Sequence, residues 1–240
     1  TANTQPAIVT VSIAALRAFQ MKCDIRPDLV AGHSLGEYSA LVAARAMNFS
    51  DAIRVTRARG TFMQEAVPEG KGAMAAVMKL EDNEVREICN AAAQSETVSP
   101  ANFNSPGQIV ISGTRDAVDR ACAMARERGG RVIPLKVSAP FHCALMKSAA
   151  DRLAACLADI SFSTPLCPVI TNVSAGENID AASIPSLLVQ QVTSPVLWTD
   201  SIRCMIRQGV TRFIEFGPGN VLAGLIAKTD PSVQVVSVNE

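Results

Sequence analysis

The run Gly32-His33-Ser34-Leu35-Gly36 sets a serine between two glycines. Ahead of it, DLVAG (28–32) is short and apolar, like a buried strand; behind it, residues 35–46 carry a helical pattern. Strand, Gly-x-Ser-x-Gly and helix form the setting of a nucleophile elbow. The glycines permit a sharp turn that lifts the hydroxyl off the sheet edge. The helix start adds free N–H groups and a positive dipole end, so the Leu35 N–H can donate to an oxyanion. The same letters also fit a plain turn serine, because a hydroxyl becomes reactive only beside a base. Two histidines are present, His33 and His142. His33 adjoins Ser34 within the turn and points elsewhere; it reads as a brace of the elbow through hydrogen bonds. His142, in SAPFHCALM (138–146), is then the candidate general base, the alternative being a structural histidine.

Arg59 is the third candidate. Val55, Phe62, Met63 and Ala66 fall at helical spacing around it, which puts the guanidinium on the apolar stripe of its own helix. An unpaired buried charge is costly. The stripe therefore implies an internal ion pair, a side chain that snorkels to the surface, or a bidentate clamp for a substrate carboxylate. Arg54 and Arg57 lie off the stripe and read as solvated.

These groups need a scaffold that gathers distant segments. Ile8, Val11, Ala15, Leu16 and Phe19 recur as one helix, broken at Pro27. Ser50 is the expected N-cap of a helix through about 66, closed by Pro68 and Gly70. From residue 73 the texture changes: strand 73–78, helix 82–94, strands 97–104 and 108–113, helix 116–129, strand 131–137. That is the β-α-β-β-α-β order of a ferredoxin-like unit. A helix at 144–158, a strand at 168–173 and a loop rich in small and polar residues follow. The chain then continues as helix 197–208, strand 212–216 and helix 220–228. Strands alternating with helices on both sides of an insert indicate an α/β fold. The expected division is a main domain from 1–71 and 139–240, with 72–138 inserted as a smaller ferredoxin-like subdomain.

Composition narrows the function classes. Apolar residues make up 48% and aromatics 4% of the 240 residues, so the core is aliphatic, as helices packed on a sheet require. Lysine plus arginine and aspartate plus glutamate both number 22, so no global field favours nucleic acid or an anionic membrane. Seven cysteines, none at CxxC spacing, with two histidines argue against zinc and for a reducing compartment. No apolar run reaches the ~18–20 residues of a membrane helix. The opening TANTQPAIVTVSIAALRAFQ lacks an initiator Met and a charged n-region; it reads as a helix already under way inside a longer protein.

Six blocks carry a resemblance: GHSLGEYSAL (32–41), RGTFMQEAVPEGKGAMAAV (59–77), NFNSPGQIVISG (102–113), SAPFHCALM (138–146), QQVTSPVLW (190–198) and EFGPGNVLAGL (215–225). In order and along essentially the whole chain, they resemble the malonyl-CoA:acyl carrier protein transacylases of bacterial-type fatty acid synthesis. The resemblance implies an α/β-hydrolase-like large domain with a ferredoxin-like insert and an active site in the cleft between them. It implies Ser34 as nucleophile, His142 as general base, and the Gln191 carbonyl as the group that orients the histidine. Arg59 matches the arginine that pairs with the malonyl carboxylate, Leu35 one oxyanion donor, and Phe141 a position that leans towards malonyl over methylmalonyl. Members of the family open with a Gly-Gln-Gly-Ser-Gln loop whose first glutamine is the second oxyanion donor; no such block occurs here.

The implied reaction moves malonyl from malonyl-CoA to the phosphopantetheine thiol of acyl carrier protein by a ping-pong route through malonyl-serine. No cofactor or metal is implied, nor a nucleic-acid or membrane partner. A cytoplasmic monomer, in bacterial cytosol, is expected. Lys136, Lys147, Arg203 and Arg207 are candidates for a basic rim facing the acidic carrier. Rival readings are a serine esterase or thioesterase, an acyltransferase domain of a larger polyketide or fatty acid synthase, and an inactive fragment that acts by binding.

Overall fold

The computed structural model describes residues 2–137 and 139–239. Thr1, Ser138 and Glu240, which bound the expected segments, lie outside the described residues. The chain begins with α1 (Thr4–Gln20), β1 (Val30–Ala31), α2 (Gly36–Ala43) and α3 (Phe49–Glu65). Next come β2 (Gly72–Met78), α4 (Asp82–Ala93), β3 (Val98–Ser105), β4 (Gln108–Thr114), α5 (Arg115–Glu127) and β5 (Arg131–Pro134). A 3₁₀ turn (Ala144–Met146) leads to α6 (Lys147–Leu157), β6 (Val169–Ile170) and β7 (Glu177–Asn178). The remainder is α7 (Ile184–Thr193), α8 (Trp198–Arg207), β8 (Arg212–Phe216), α9 (Val221–Thr229) and β9 (Gln234–Val238).

The middle segment forms one antiparallel sheet in the order β3-β4-β2-β5. This is the strand order that β-α-β-β-α-β connectivity produces when both helices cross one face. Ala75 and Val77 of β2 and Ile109 and Ile111 of β4 alternate along their strands. They bury against Ile88 and Ala92 of α4 and Val118, Ala121 and Ala125 of α5. α4 starts with a capping box, in which Glu81 and Glu84 satisfy each other's backbone N–H groups.

The flanking segments build the second body. β1 pairs with β6 in parallel, and β8 with β9 in parallel. Val9 and Ile13 of α1, Tyr38 and Leu41 of α2, Val55 and Met63 of α3, Leu153 of α6 and Leu188 of α7 share one core. The fold is thus α/β.

Three expectations need correction. Ser50 is not the N-cap of α3: the helix already includes Phe49, and Asn48, with extended ψ, holds the cap position without a side-chain cap bond. The strands expected at 28–32 and 168–173 have two residues each, because the β1–β6 ladder stops where Gly32 and Thr171 leave it. The stretch read as loop between 173 and 197 holds α7, whose Ile184, Leu188, Gln191 and Val192 bury one helical face. Pro185 sits in its first turn, where a missing N–H costs nothing.

β3 is the seam between the bodies. Asn102 bridges Val196, with Phe103 N–H donating to the Val196 carbonyl at 2.9 Å and Val196 N–H to that of Ala101 at 2.9 Å. Register shifts at Pro100/Asn102 and Phe103/Ser105 kink this strand at the seam.

Candidate active site

The elbow is built by close packing. Gly32 leaves β1 and passes under the start of α2, so near that a Cβ on it would lie 2.0 Å from the Gly36 carbonyl carbon and 2.6 Å from the Glu37 nitrogen. Both contacts are with backbone that cannot yield. Gly32→Ala is therefore expected to destabilise the fold by about 3 kcal/mol or more, read as a lowered denaturant midpoint. Wild-type stability in that variant would contradict this packing.

Ser34 itself has φ of 51°, a conformation that costs a non-glycine residue about 1–2 kcal/mol. Asn172 holds it there. The Ser34 N–H donates to Asn172 Oδ1 at 2.6 Å, and Asn172 Nδ2 donates to the Gly32 carbonyl at 2.8 Å. The Leu35 N–H, at the head of α2, makes no hydrogen bond among the described residues, and Leu35 lines the pocket beside Ser34.

His142 also lies in the left-handed region, with φ of 58°, and is 4% exposed. Its Nε2 is 2.7 Å from Ser34 Oγ and its Nδ1 2.9 Å from the Gln191 carbonyl oxygen. A carbonyl only accepts, so Nδ1 carries the proton and Nε2 presents a lone pair to the serine hydroxyl. Burial, helped by the Arg59 charge and opposed by the bond to the Gln191 carbonyl, pushes the His142 pKa down to about 3. The ring is neutral at physiological pH, the state a general base requires.

Arg59 is 2% exposed on α3. Its Nη1 donates to Gln5 Oε1 at 2.8 Å; its Nη2 donates to Ser34 Oγ at 3.0 Å and to Gln191 Oε1 at 2.9 Å. The Nε–H has no partner among the described residues. Among the described residues no carboxylate lies within ion-pair distance. An internal ion pair and a snorkelling side chain are both excluded. Burial lowers the Arg59 pKa, but a guanidinium stays charged. Gln5, Ser34, Leu35, Arg59, Met63, Phe141 and His142 line a pocket of about 150 Å³. That is below the ~300–1,000 Å³ of drug-sized ligand sites, and it suits a small anionic acyl group. A wider depression of about 250 Å³ at Asp28, Gln208 and Val210 contains none of these side chains.

All six site residues named from the sequence, Ser34, Leu35, Arg59, Phe141, His142 and Gln191, converge here. His33 braces the elbow: its Nε2–H donates to Asn104 Oδ1 at 2.8 Å, and its ring tilts against Trp198. Sequence reasoning missed Gln5, Glu37, Asn104 and Asn172. Asn172 is a polar residue at the end of an apolar run, which is a readable signal; Gln5 follows a polar stretch and gives none, while Glu37 and Asn104 were inside quoted blocks. The four candidates for a basic rim lie outside the pocket lining, as surface residues. Lys136 and Arg207 are exposed, Lys147 pairs with Asp151, and Arg203 pairs with Asp200 at 3.5 Å.

A serine–histidine pair on an elbow, a carboxylate-seeking arginine and an α/β scaffold define an acyl-transferring enzyme of the serine type, and a family model described as Acyl transferase domain matches residues 1–240. Within that class, the chain belongs to the malonyl CoA-acyl carrier protein transacylase family. It is 49% identical to the transacylase of that name from Salmonella typhimurium over 239 residues, covering 99% of this chain and 77% of the relative. An acyl carrier protein S-malonyltransferase structure from Vibrio cholerae superposes with a TM-score of 0.98 at 48% identity, over 100% of this chain and 79% of the other. A malonyl-transacylase solved in complex with a type II PKS acyl-carrier protein superposes with a TM-score of 0.98 at 46% identity, over 100% and 78%.

Proposed function

We propose that this chain transfers malonyl from malonyl-CoA to the phosphopantetheine thiol of acyl carrier protein, with Ser34 as nucleophile and His142 as base. The observation that carries the reading is the contact of one atom, Ser34 Oγ, with both His142 Nε2 at 2.7 Å and Arg59 Nη2 at 3.0 Å. His142 Nε2 takes the Ser34 proton as Oγ attacks the thioester carbonyl. The oxyanion forms against the Leu35 N–H. The C–S bond breaks, His142 returns the proton to the CoA thiolate, and malonyl-Ser34 remains. The carrier thiol then gives its proton to His142 and attacks the ester; Ser34 leaves and recovers that proton. Arg59 binds the malonyl carboxylate, Phe141 shapes the acyl pocket, and Gln191 orients His142. No step calls for a cofactor.

Residues 72–138 act as an inserted ferredoxin-like subdomain between 1–71 and 139–240; the pocket is lined from the two flanking segments, and the insert reaches the elbow through Asn104 on His33. A cytosolic setting is supported by seven free cysteines and by the bacterial sources of the relatives. Among the described residues no helix is long and apolar enough to cross a membrane.

The test is to incubate the chain with malonyl-CoA alone and map the mass increase. One malonyl group on Ser34 is expected, discharged on adding phosphopantetheinylated carrier protein. Rapid release to water without carrier would favour an esterase, and no adduct would favour a binding-only role.

A further inference from the structure

Glu37 plays no part in the steps above, yet it is 3% exposed and sits one helical turn after Ser34. Among the described residues it has no ion-pair partner within reach. A buried carboxylate is costly, so its contacts matter. Its Oε2 accepts two N–H groups, from the Asn172 backbone at 3.0 Å and from Gln191 Nε2 at 2.8 Å. Asn172 is the residue whose side chain grips both sides of the strained Ser34 turn. Gln191 is the residue whose carbonyl holds His142 and whose Oε1 accepts from Arg59.

We propose that Glu37 is a positioning residue, whose carboxylate fixes the Ser34 turn through Asn172 and the His142 ring and Arg59 guanidinium through Gln191. The chemistry is directional. Oε2 accepts from both N–H groups whether Glu37 is ionised or carries its proton on Oε1. It therefore forces the Gln191 amide to turn Nε2 towards Glu37 and the Ser34 carbonyl, the latter at 3.0 Å, and so Oε1 towards Arg59. A single acceptor thus sets the orientation of base, clamp and nucleophile. Burial raises the Glu37 pKa to about 7, opposed by the bonds from Gln191 and Asn172 and by the Arg59 charge. Arg59 from α3 is the ionisable group that acts on it, and Tyr38 of α2 is in turn pushed up by burial and by Glu37; the segment after β6 and α7 present neutral amides.

The inference rests on the roles given to Ser34 and His142, and its test has a readout that does not depend on them. With two histidines in the chain, a ¹⁵N-histidine spectrum resolves two rings. Wild type is expected to show His142 as the Nδ1–H tautomer. In Glu37→Ala that signal should shift or split, and malonylation of Ser34 should slow by about 10²-fold in kcat, as a misplacement near 1 Å does, with KM nearly unchanged. Glu37→Gln, whose Oε1 can accept both N–H groups, should recover at least about tenfold of that loss. A folded Glu37→Ala with wild-type kinetics and an unmoved His142 signal would overturn the proposal, as would a glutamine variant as slow as alanine. If the alanine variant does not fold, Glu37→Asp decides: it keeps the charge but withdraws the oxygen, so wild-type kinetics in it would also overturn the proposal. If Ser34→Ala still transferred malonyl, the reading of the nucleophile would fail, while the effect of Glu37 on the ring would remain measurable.

Discussion

Replacing Ser34 by alanine is expected to abolish the malonyl adduct, and replacing His142 by alanine to slow its formation by about 10²–10⁴-fold, the usual contribution of a general base. The double variant should be no slower than Ser34→Ala alone, because nucleophile and base act as a unit. Rapid-quench measurement of adduct formation checks the single variants, and residual malonyl transfer to the carrier thiol compares the double variant with Ser34→Ala. The pH dependence adds a second check. His142 is held neutral down to about pH 3, so its protonation should leave no mark at the ordinary histidine value of about 6.5. An acid limb near that pH which persists in Glu37→Gln would show that the His142 ring titrates normally. Additive losses in the double variant would show that the two side chains act separately.

Arg59→Ala is expected to reduce kcat/KM for malonyl-CoA by the equivalent of about 2–5 kcal/mol, the cost of truncating one partner of a buried charge pair. That is roughly 30-fold to a few thousand-fold. Acetyl-CoA, with no carboxylate to pair, should lose far less and become the relatively better substrate. The proposed clamp predicts this discrimination because acetyl would leave the guanidinium facing a pocket, its Nε–H unpartnered among the described residues. Some acetyl loss is expected too, since Nη2 also donates to Ser34 Oγ. The ratio of the two losses is therefore the measurement, and equal losses would remove Arg59 from the role of clamp.

What could be read from the sequence was mostly what depends on short spacing. The elbow announces itself through two glycines and a serine within five positions, and Arg59 through the apolar stripe on which it sits. The segment 72–138 was legible because short apolar strands and helices with one apolar face follow one another in β-α-β-β-α-β order. His142 emerged by elimination, since only two histidines compete. Gln191 came through the resemblance alone: its backbone carbonyl does the work, and a carbonyl leaves no trace in residue identity. Asn172 was hidden in a stretch read as a six-residue strand, of which two residues pair. Glu37 looked like an ordinary acid in a first helical turn, favoured there by the dipole; its burial depends on α7, which Pro185 and the small polar residues before it disguised as loop. The positive φ of Ser34 and of His142 is likewise a tertiary outcome that no local propensity favours.

The seam along β3 ties the elbow to the smaller sheet. Asn104 reaches His33 from the same kinked strand that bonds Val196. A hinge opening along that line would break the bridge to Val196 and withdraw the brace from the residue beside Ser34 in one movement. Opening the seam and loosening the nucleophile therefore draw on a single free energy.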